Sequence, residues 1–279
     1  MKKHIFFMIV MFLFISGTLS AKEANKETID KAKQLMSNTG VLFIENKGQI
    51  KDSDGKSRPD VLYLSSINGN TVYFLKDRIC FTLRSIEKEA TNEVNTEQEK
   101  SETQIKLFRF DIQFIASNPQ TKLLAEDMQT TKYNFFKGNS QSPITNVRTF
   151  KKLTYKDLYP NVDIIFHDSP IGLKYDLIIK PGGNISAVLM NYIGVSELEL
   201  LNPQKIQFKT PFGTLGEEIP NSYQITNVSG ESTIKPLDCR YTIIGNTLGF
   251  AIGEYDKNNI IVIDPSLLSA SYIGGQIMK

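Results

Sequence analysis

Apolar and polar residues alternate with a period of two along most of this chain. The clearest run is residues 107–114, where Phe108, Phe110, Ile112 and Phe114 interleave with Leu107, Arg109, Asp111 and Gln113. Successive side chains of a strand point to opposite faces, so this spacing predicts one buried and one largely wet face. Upstream, residues 61–64 and 71–75 are β-rich runs joined through residues 66–70, and the Asn68-Gly69 pair between them tolerates positive φ. That predicts a hairpin, with residues 79–83 as the third strand of a meander. In the second half, residues 162–166 and 173–179 read as strands. Further candidates are 186–192, 198–201, 206–209, 222–225, 240–244, 249–252 and 260–263. Turn residues separate them by roughly 8 to 12 positions, the spacing of a sandwich or barrel rather than of βαβ units. The expected fold class is all-β and sandwich-like, with two abutting subdomains over 41–146 and 147–268. A polar, proline-containing stretch after Tyr133 and Phe135 marks the division near Asn146.

Three segments depart from the alternation. Lys2 and Lys3 precede an unbroken apolar run from Ile5 to Ile15, and Ser16, Gly17, Thr18, Leu19, Ser20 and Ala21 follow. This is the pattern of a signal peptide over 1–20, cleaved after Ser20 or Ala21, and its 11 apolar residues fall short of the roughly 20 that a spanning helix needs. In the lead-in 21–40, Ile29, Ala32, Leu35 and Met36 recur at helical spacing behind Thr28, with Gly40 as a stop, which predicts a short helix. Residues 87–102 hold six Glu and two Lys, with Ala90 and Val94 as the only apolar members. Too little surface is available for burial there, so a mobile acidic loop is expected.

Composition narrows the chemistry. The 279 residues include two histidines, two cysteines and no tryptophan, which excludes a zinc-finger scaffold, a cysteine-rich framework and a tryptophan sugar platform. Loss of Lys2 and Lys3 takes Lys+Arg from 32 to 30 against 30 Asp+Glu, so the net charge falls from +2 to zero. With no basic cluster or stripe, nucleic acid is not an expected partner, and no later stretch is long enough for a transmembrane span. Cys80 and Cys239 either bridge in an oxidising compartment or serve as small buried apolar side chains.

No motif specifies a reaction. His167, Asp168 and Ser169 are triad residue types, but neighbours on a strand point to opposite faces and cannot line up for acyl transfer. Residues 51–55 carry Asp52 and Asp54 before Gly55, yet Ile50 and Val61 occupy the outer ligand places of a calcium loop, so a polar turn is expected. Glycosidase chemistry needs only a carboxylate pair, for which Asp163, Asp176, Glu217, Glu218, Asp256 and Asp264 are available. Glu217 and Glu218, lying between Gly213 and Pro220, read as an exposed turn.

Several short strings occur in a characteristic order: Phe43 to Gln49, Tyr133 to Gly138, Tyr155 to Asp163, Leu173 to Asp176 with Pro181-Gly182, Pro211-Phe212-Gly213 with Glu218-Ile219-Pro220 and Tyr223-Gln224, then Tyr255-Asp256 and Ile263-Asp264-Pro265. From about Val41 to Gly275 the chain resembles the amino-terminal domain of unknown function that precedes β-propeller (SBBP) repeats in secreted bacterial proteins. Residues 267–275 are similar to the opening of a first blade, although Ser269 and Ala270 depart from its usual Tyr-Ser-Thr-Tyr-Leu-Gly-Gly. Residues 269–279 are therefore expected to be a vestige or the start of a blade, in a naturally short version or the front piece of a longer chain. The resemblance implies a surface or secreted β module and carries no established catalytic residues.

The expected function is that of an exported, non-enzymatic module with a structural or interaction role at the bacterial cell surface or outside the cell. Its expected partners are β-propeller repeats in cis, another cell-surface protein or a glycan, with no cofactor. A carbohydrate- or peptide-binding module is the alternative, and a hydrolase using a carboxylate pair around Asp163 and Asp176 the second. Asn46, Gln49, Tyr159, Asp163, Tyr175, Asp176, Tyr223 and Gln224 are the candidate binding or motif residues.

Overall fold

The computed structural model describes residues 40–67, 69–88, 103–136, 142–169, 172–228 and 231–268. The expected signal peptide, the helix of the lead-in, most of the acidic segment and the blade-like tail lie outside the described residues.

The described chain is all-β, as the alternation predicts. Its seventeen strands belong to one antiparallel sheet. The first meander consists of β1 (Phe43–Glu45), β2 (Tyr63–Ile67), β3 (Asn70–Phe74), β4 (Arg78–Lys88) and β5 (Thr103–Phe114). Ile67 pairs with Asn70, so the turn holds two residues, and Gly69 adopts the positive φ of +80° that its place in the turn requires. On β5, Phe110, Ile112 and Phe114 are buried and Phe108 packs against the same core.

Next come β6 (Lys122–Phe135), β7 (Ile144–Tyr159), β8 (Val162–Ser169) and β9 (Gly172–Ile179). Strands β6 and β7 are not among the expected strands; among the described residues β6 pairs with β7 alone, and its side chains are exposed or half-buried. A wet edge strand needs no apolar alternation. By contrast, β9 alternates without a break, burying Leu173, Tyr175, Leu177 and Ile179.

The remaining strands are β10 (Met190–Ile193), β11 (Leu198–Asn202), β12 (Lys205–Thr210), β13 (Gly213–Val228), β14 (Glu231–Pro236), β15 (Cys239–Ile244), β16 (Thr247–Ile252) and β17 (Ile260–Leu268). Residues 186–192 are not one strand: Ile185–Ala187 form a single 3-10 turn because the Asn184 side chain accepts the Ser186 N–H, and β10 begins only at Met190. Residues 213–228 are one long strand, not a turn followed by a strand. Glu217 and Glu218 therefore sit on β13, paired on one side with β12 and on the other with β17.

Strand β7 joins the two arms of the sheet. One of its edges carries β6; the other carries β1 at Thr149–Phe150 and then β8 at 152–159. From β1 the sheet runs through β2, β3, β4, β5, β10 and β16 to β15. From β8 it runs through β9, β17, β13 and β12 to β11. The far ends meet where the Tyr241 N–H donates to the Pro203 carbonyl at 2.8 Å, which leaves the sheet nearly closed. One apolar core lies inside it and draws on residues from both sides of Asn146, including Phe43, Phe74, Phe166, Ile206 and Leu248. No helix among the described residues is long and apolar enough to cross a membrane.

Strand β13 tolerates no extra atom at Gly216, where a Cβ would lie 2.7 Å from the Ile206 carbonyl oxygen of β12. Gly216→Ala is expected to destabilise the protein by about 1–3 kcal/mol through overpacking against backbone. Gly253→Ala, which meets nothing closer than 3.8 Å, should stay within about 0.5 kcal/mol of wild type. Urea unfolding of the two variants checks this difference.

Candidate functional site

Alternation along β13 places Leu215, Glu217 and Ile219 toward the interior, so a glutamate occupies an apolar position. Glu217 is 0% exposed. Burying an unpaired carboxylate would cost several kcal/mol, and three tyrosine hydroxyls offset that cost. Tyr175 of β9 donates to Oε1 at 2.5 Å, Tyr241 of β15 to Oε1 at 2.6 Å, and Tyr192 of β10 to Oε2 at 3.1 Å. Burial pushes the Glu217 carboxyl above its usual range while the three hydroxyls pull it back, and the outcome is a raised pKa. The three phenols are likewise raised, by burial first and then by the Glu217 charge. The cluster binds four strands of the nearly closed sheet at a point with no exposure to solvent.

Of the candidate residues, only Tyr175 belongs to this cluster. Asp176, next along β9, faces the opposite side and meets His167 Nε2 at 3.1 Å, while His167 Nδ1 lies 2.9 Å from the Asp168 carbonyl. The hydrogen bond to Asp176 raises the His167 pKa. Beside them Lys174 contacts Asp264, whose carboxyl is raised by burial and by the neighbouring Asp176 despite that lysine. Asp163 lies on the same outer face, opposite Ile178 and so diagonal to Asp176. It accepts Lys156 Nζ at 2.8 Å, Lys180 Nζ at 2.9 Å and the Asp157 N–H at 2.7 Å. Burial pushes its pKa up, yet Lys156, the Asp157 amide and Lys180 bring it below the usual carboxylate range. Asp163 thereby holds the left-handed backbone of Asp157, at φ +49°, in the bulge of β7.

Most of the other candidates hold loop or strand-end backbone. Asn46 Nδ2 donates to the Arg58 and Val61 carbonyls, and Gln49 Nε2 donates to the Glu45 carbonyl. Tyr159 is buried, donates to the Leu189 carbonyl, and has its pKa pushed up by burial to about 12. Gln224 accepts the Asp256 N–H, and half-buried Tyr223 lies between Pro236 and Val262 in the sheet. Cys80 and Cys239 are free, buried thiols. Burial raises their pKa values to about 11 and about 12.

Sequence reasoning named Glu217 among the available carboxylates but placed it in an exposed turn, because its three partners come from residues 42, 25 and 24 positions away. The available signal was a glutamate at an inward β position, flanked two residues on by Ile219. It was legible only with β13 drawn as continuous.

The raised pKa makes the cluster's contribution pH-dependent. The folded chain binds the Glu217 proton more tightly than the unfolded chain, whose glutamates titrate near about 4.3. The resulting stabilisation is complete below that value and is lost as the pH rises through the folded-state pKa. Glu217→Gln removes this titration, so the stability of wild type minus variant should fall between pH 4 and pH 8. A gap constant across that range in urea melts would contradict the assignment.

Comparison with curated proteins and with solved structures gives no match. A family match covers residues 43–266, from β1 to near the end of β17, and so takes in the whole nearly closed sheet and the Glu217 cluster. The chain therefore belongs to the family described as Domain of unknown function (DUF7948).

Proposed function

We propose that this protein is an exported, non-enzymatic β module with a structural or interaction role at the bacterial cell surface or outside the cell, working beside β-propeller repeats. The observation that carries this reading is the enclosure of Glu217. A catalytic carboxylate must reach its substrate, and this one is spent on three tyrosines from three other strands. A carboxylate-pair hydrolase needs one carboxyl kept protonated; in the expected pair Asp163 is held low between two lysines and Asp176 is hydrogen-bonded to His167, whereas the raised carboxyl beside them, Asp264, is in contact with Lys174.

The interaction role draws support from the outer face. Ile86 and Ile105 are paired across β4 and β5, and Leu107 follows on β5; these three are 49, 52 and 67% exposed. Ile193 of β10, opposite Asp111, is a further exposed apolar residue on this face, set apart from Leu107 by the Arg109–Asp111 ion pair. Exposed apolar surface such as that of Ile86, Ile105 and Leu107 marks a place where a partner packs. Export draws support from the basic, apolar and small-residue sequence of 1–20. The alternative of carbohydrate or peptide binding is favoured by one feature, the stacked Tyr133 and Phe135 rings on β6 with centroids 6.3 Å apart.

Expression of the full chain in a bacterium, with a photo-crosslinking residue at Leu107, tests the reading. The protein should be recovered outside the cytoplasm with its N-terminus at Ala21 or Lys22, and Leu107 should crosslink to a β-propeller-containing polypeptide. Cytoplasmic retention with Met1 or Lys2 at the N-terminus, or no adduct from the exported form, contradicts it.

A further inference from the structure

A cleft of about 280 Å³ opens on the outer face of β3, β4 and β5, roofed by the segment 50–58. That segment is held as a turn by Asp52, whose Oδ1 accepts the N–H groups of Asp54 at 3.1 Å and Lys56 at 2.8 Å. Apolar contact between Val61, Leu75 and Cys80, with Ile50 and Tyr73 against them, fixes the roof to the sheet.

Two guanidiniums line this cleft, and each is gripped from behind. Arg58 donates from Nε and Nη2 to the two oxygens of Asp60 at 2.9 and 2.6 Å. Arg109 donates from the same two nitrogens to Asp111 at 2.8 and 2.9 Å, and its Nη2 also lies 3.2 Å from Cys80 Sγ. Neither Asp60 nor Asp111 lines the cleft. Among the described residues no hydrogen bond engages Nη1 of either arginine. The two cations are close enough for Arg109 to oppose the charge on Arg58. Asp52, with one oxygen turned to the backbone, is the carboxylate among the lining residues, and Lys51, Ser53, Tyr73 and Thr82 line the cleft beside the two arginines. The lining thus carries three cationic side chains against one carboxylate. Two like charges held against one cleft, Arg58 at its roof and Arg109 on the sheet beneath, are relieved by an acceptor-rich anion between them. The volume lies at the small end of ligand pockets, the scale of a single sugar acid.

We propose that this cleft binds a small oxyanion-bearing ligand of sugar-acid size, with the Nη1 groups of Arg58 and Arg109 taking the carboxylate and Ser53 or Thr82 a neighbouring oxygen. This site adjoins the exposed apolar residues on which the interaction role rests, with Arg109 two positions from Leu107 on the same face of β5, but small-ligand binding to it is read without any propeller partner.

Titration of the purified full chain with glucuronate, glucose and inorganic phosphate, followed by calorimetry and amide NMR, tests it. Glucuronate should bind saturably and shift the amides of Ser53, Thr82 and Arg109. Glucose should leave them unchanged, and phosphate should bind more weakly than glucuronate. Arg58→Met and Arg109→Met should each weaken glucuronate at least about tenfold, while Arg240→Met, an exposed arginine paired with Asp238 on β15, should not. Absence of saturable glucuronate binding overturns the site, as do shifts confined to other strands of the wild-type protein, a readout that does not depend on any variant folding. Phosphate binding as tight as glucuronate overturns the sugar-acid assignment.

Discussion

A single carboxylate at the centre of an apolar core constrains the whole sheet. Glu217 stays buried only while Tyr175, Tyr192 and Tyr241 all aim their hydroxyls at it. These residues lie on β9, β10 and β15, and β13 carries the glutamate. Slippage of any of these strands by one residue would turn its member outward and leave a charge or a hydroxyl unpaired in the interior. Apolar packing of Phe, Ile and Leu side chains accepts many nearly equivalent arrangements. The hydrogen-bonded cluster accepts few, and so it selects one register for the region where the two arms of the sheet meet.

The outer face follows a different logic. Asp163 with Lys156 and Lys180 and Lys174 with Asp264 form ion pairs, and Asp176 is hydrogen-bonded to His167, across β7, β8, β9 and β17. At partly exposed positions such pairs contribute modestly to stability, and their chief effect here is on shape: Asp163 keeps the β7 bulge at Asp157 in place. Around the sheet on β3, β4 and β5, guanidiniums held by carboxylates face a cleft instead of filling the surface. Chemistry-bearing residues are thus divided between a sealed interior, a face of paired charges and an open cleft lined by arginines.

Much of this was legible in the sequence where one face of a strand is buried. Phe108, Phe110, Ile112 and Phe114 announced β5, Asn68-Gly69 announced the β2–β3 turn, and residues 173–179 read as the strand β9, although Tyr175, offered there as a binding residue, is buried. Where both faces are wet, as on β6, the period carries no information, and the strand is created by pairing with β7. Residues 186–192 read as a strand because their apolar content was right, but Asn184 caps a turn there first. Glu217 was misread for a physical reason. A charged pair between a glycine and a proline suits a turn locally, and the hydroxyls that make burial tolerable come from distant strands. Asp176 was identified as a motif residue, yet its partner His167 lies on the adjoining strand, a pairing that only the β8–β9 register reveals.

The central claim is that the four residues act as one unit. A double-mutant cycle between Tyr192→Phe and Tyr241→Phe, measured by urea unfolding at pH 6 in the presence and absence of Glu217→Gln, tests it most directly. Tyrosines that share one carboxylate should show a coupling of about 1 kcal/mol or more that collapses when Glu217 is replaced. Additivity within about 0.5 kcal/mol in both backgrounds would contradict the account.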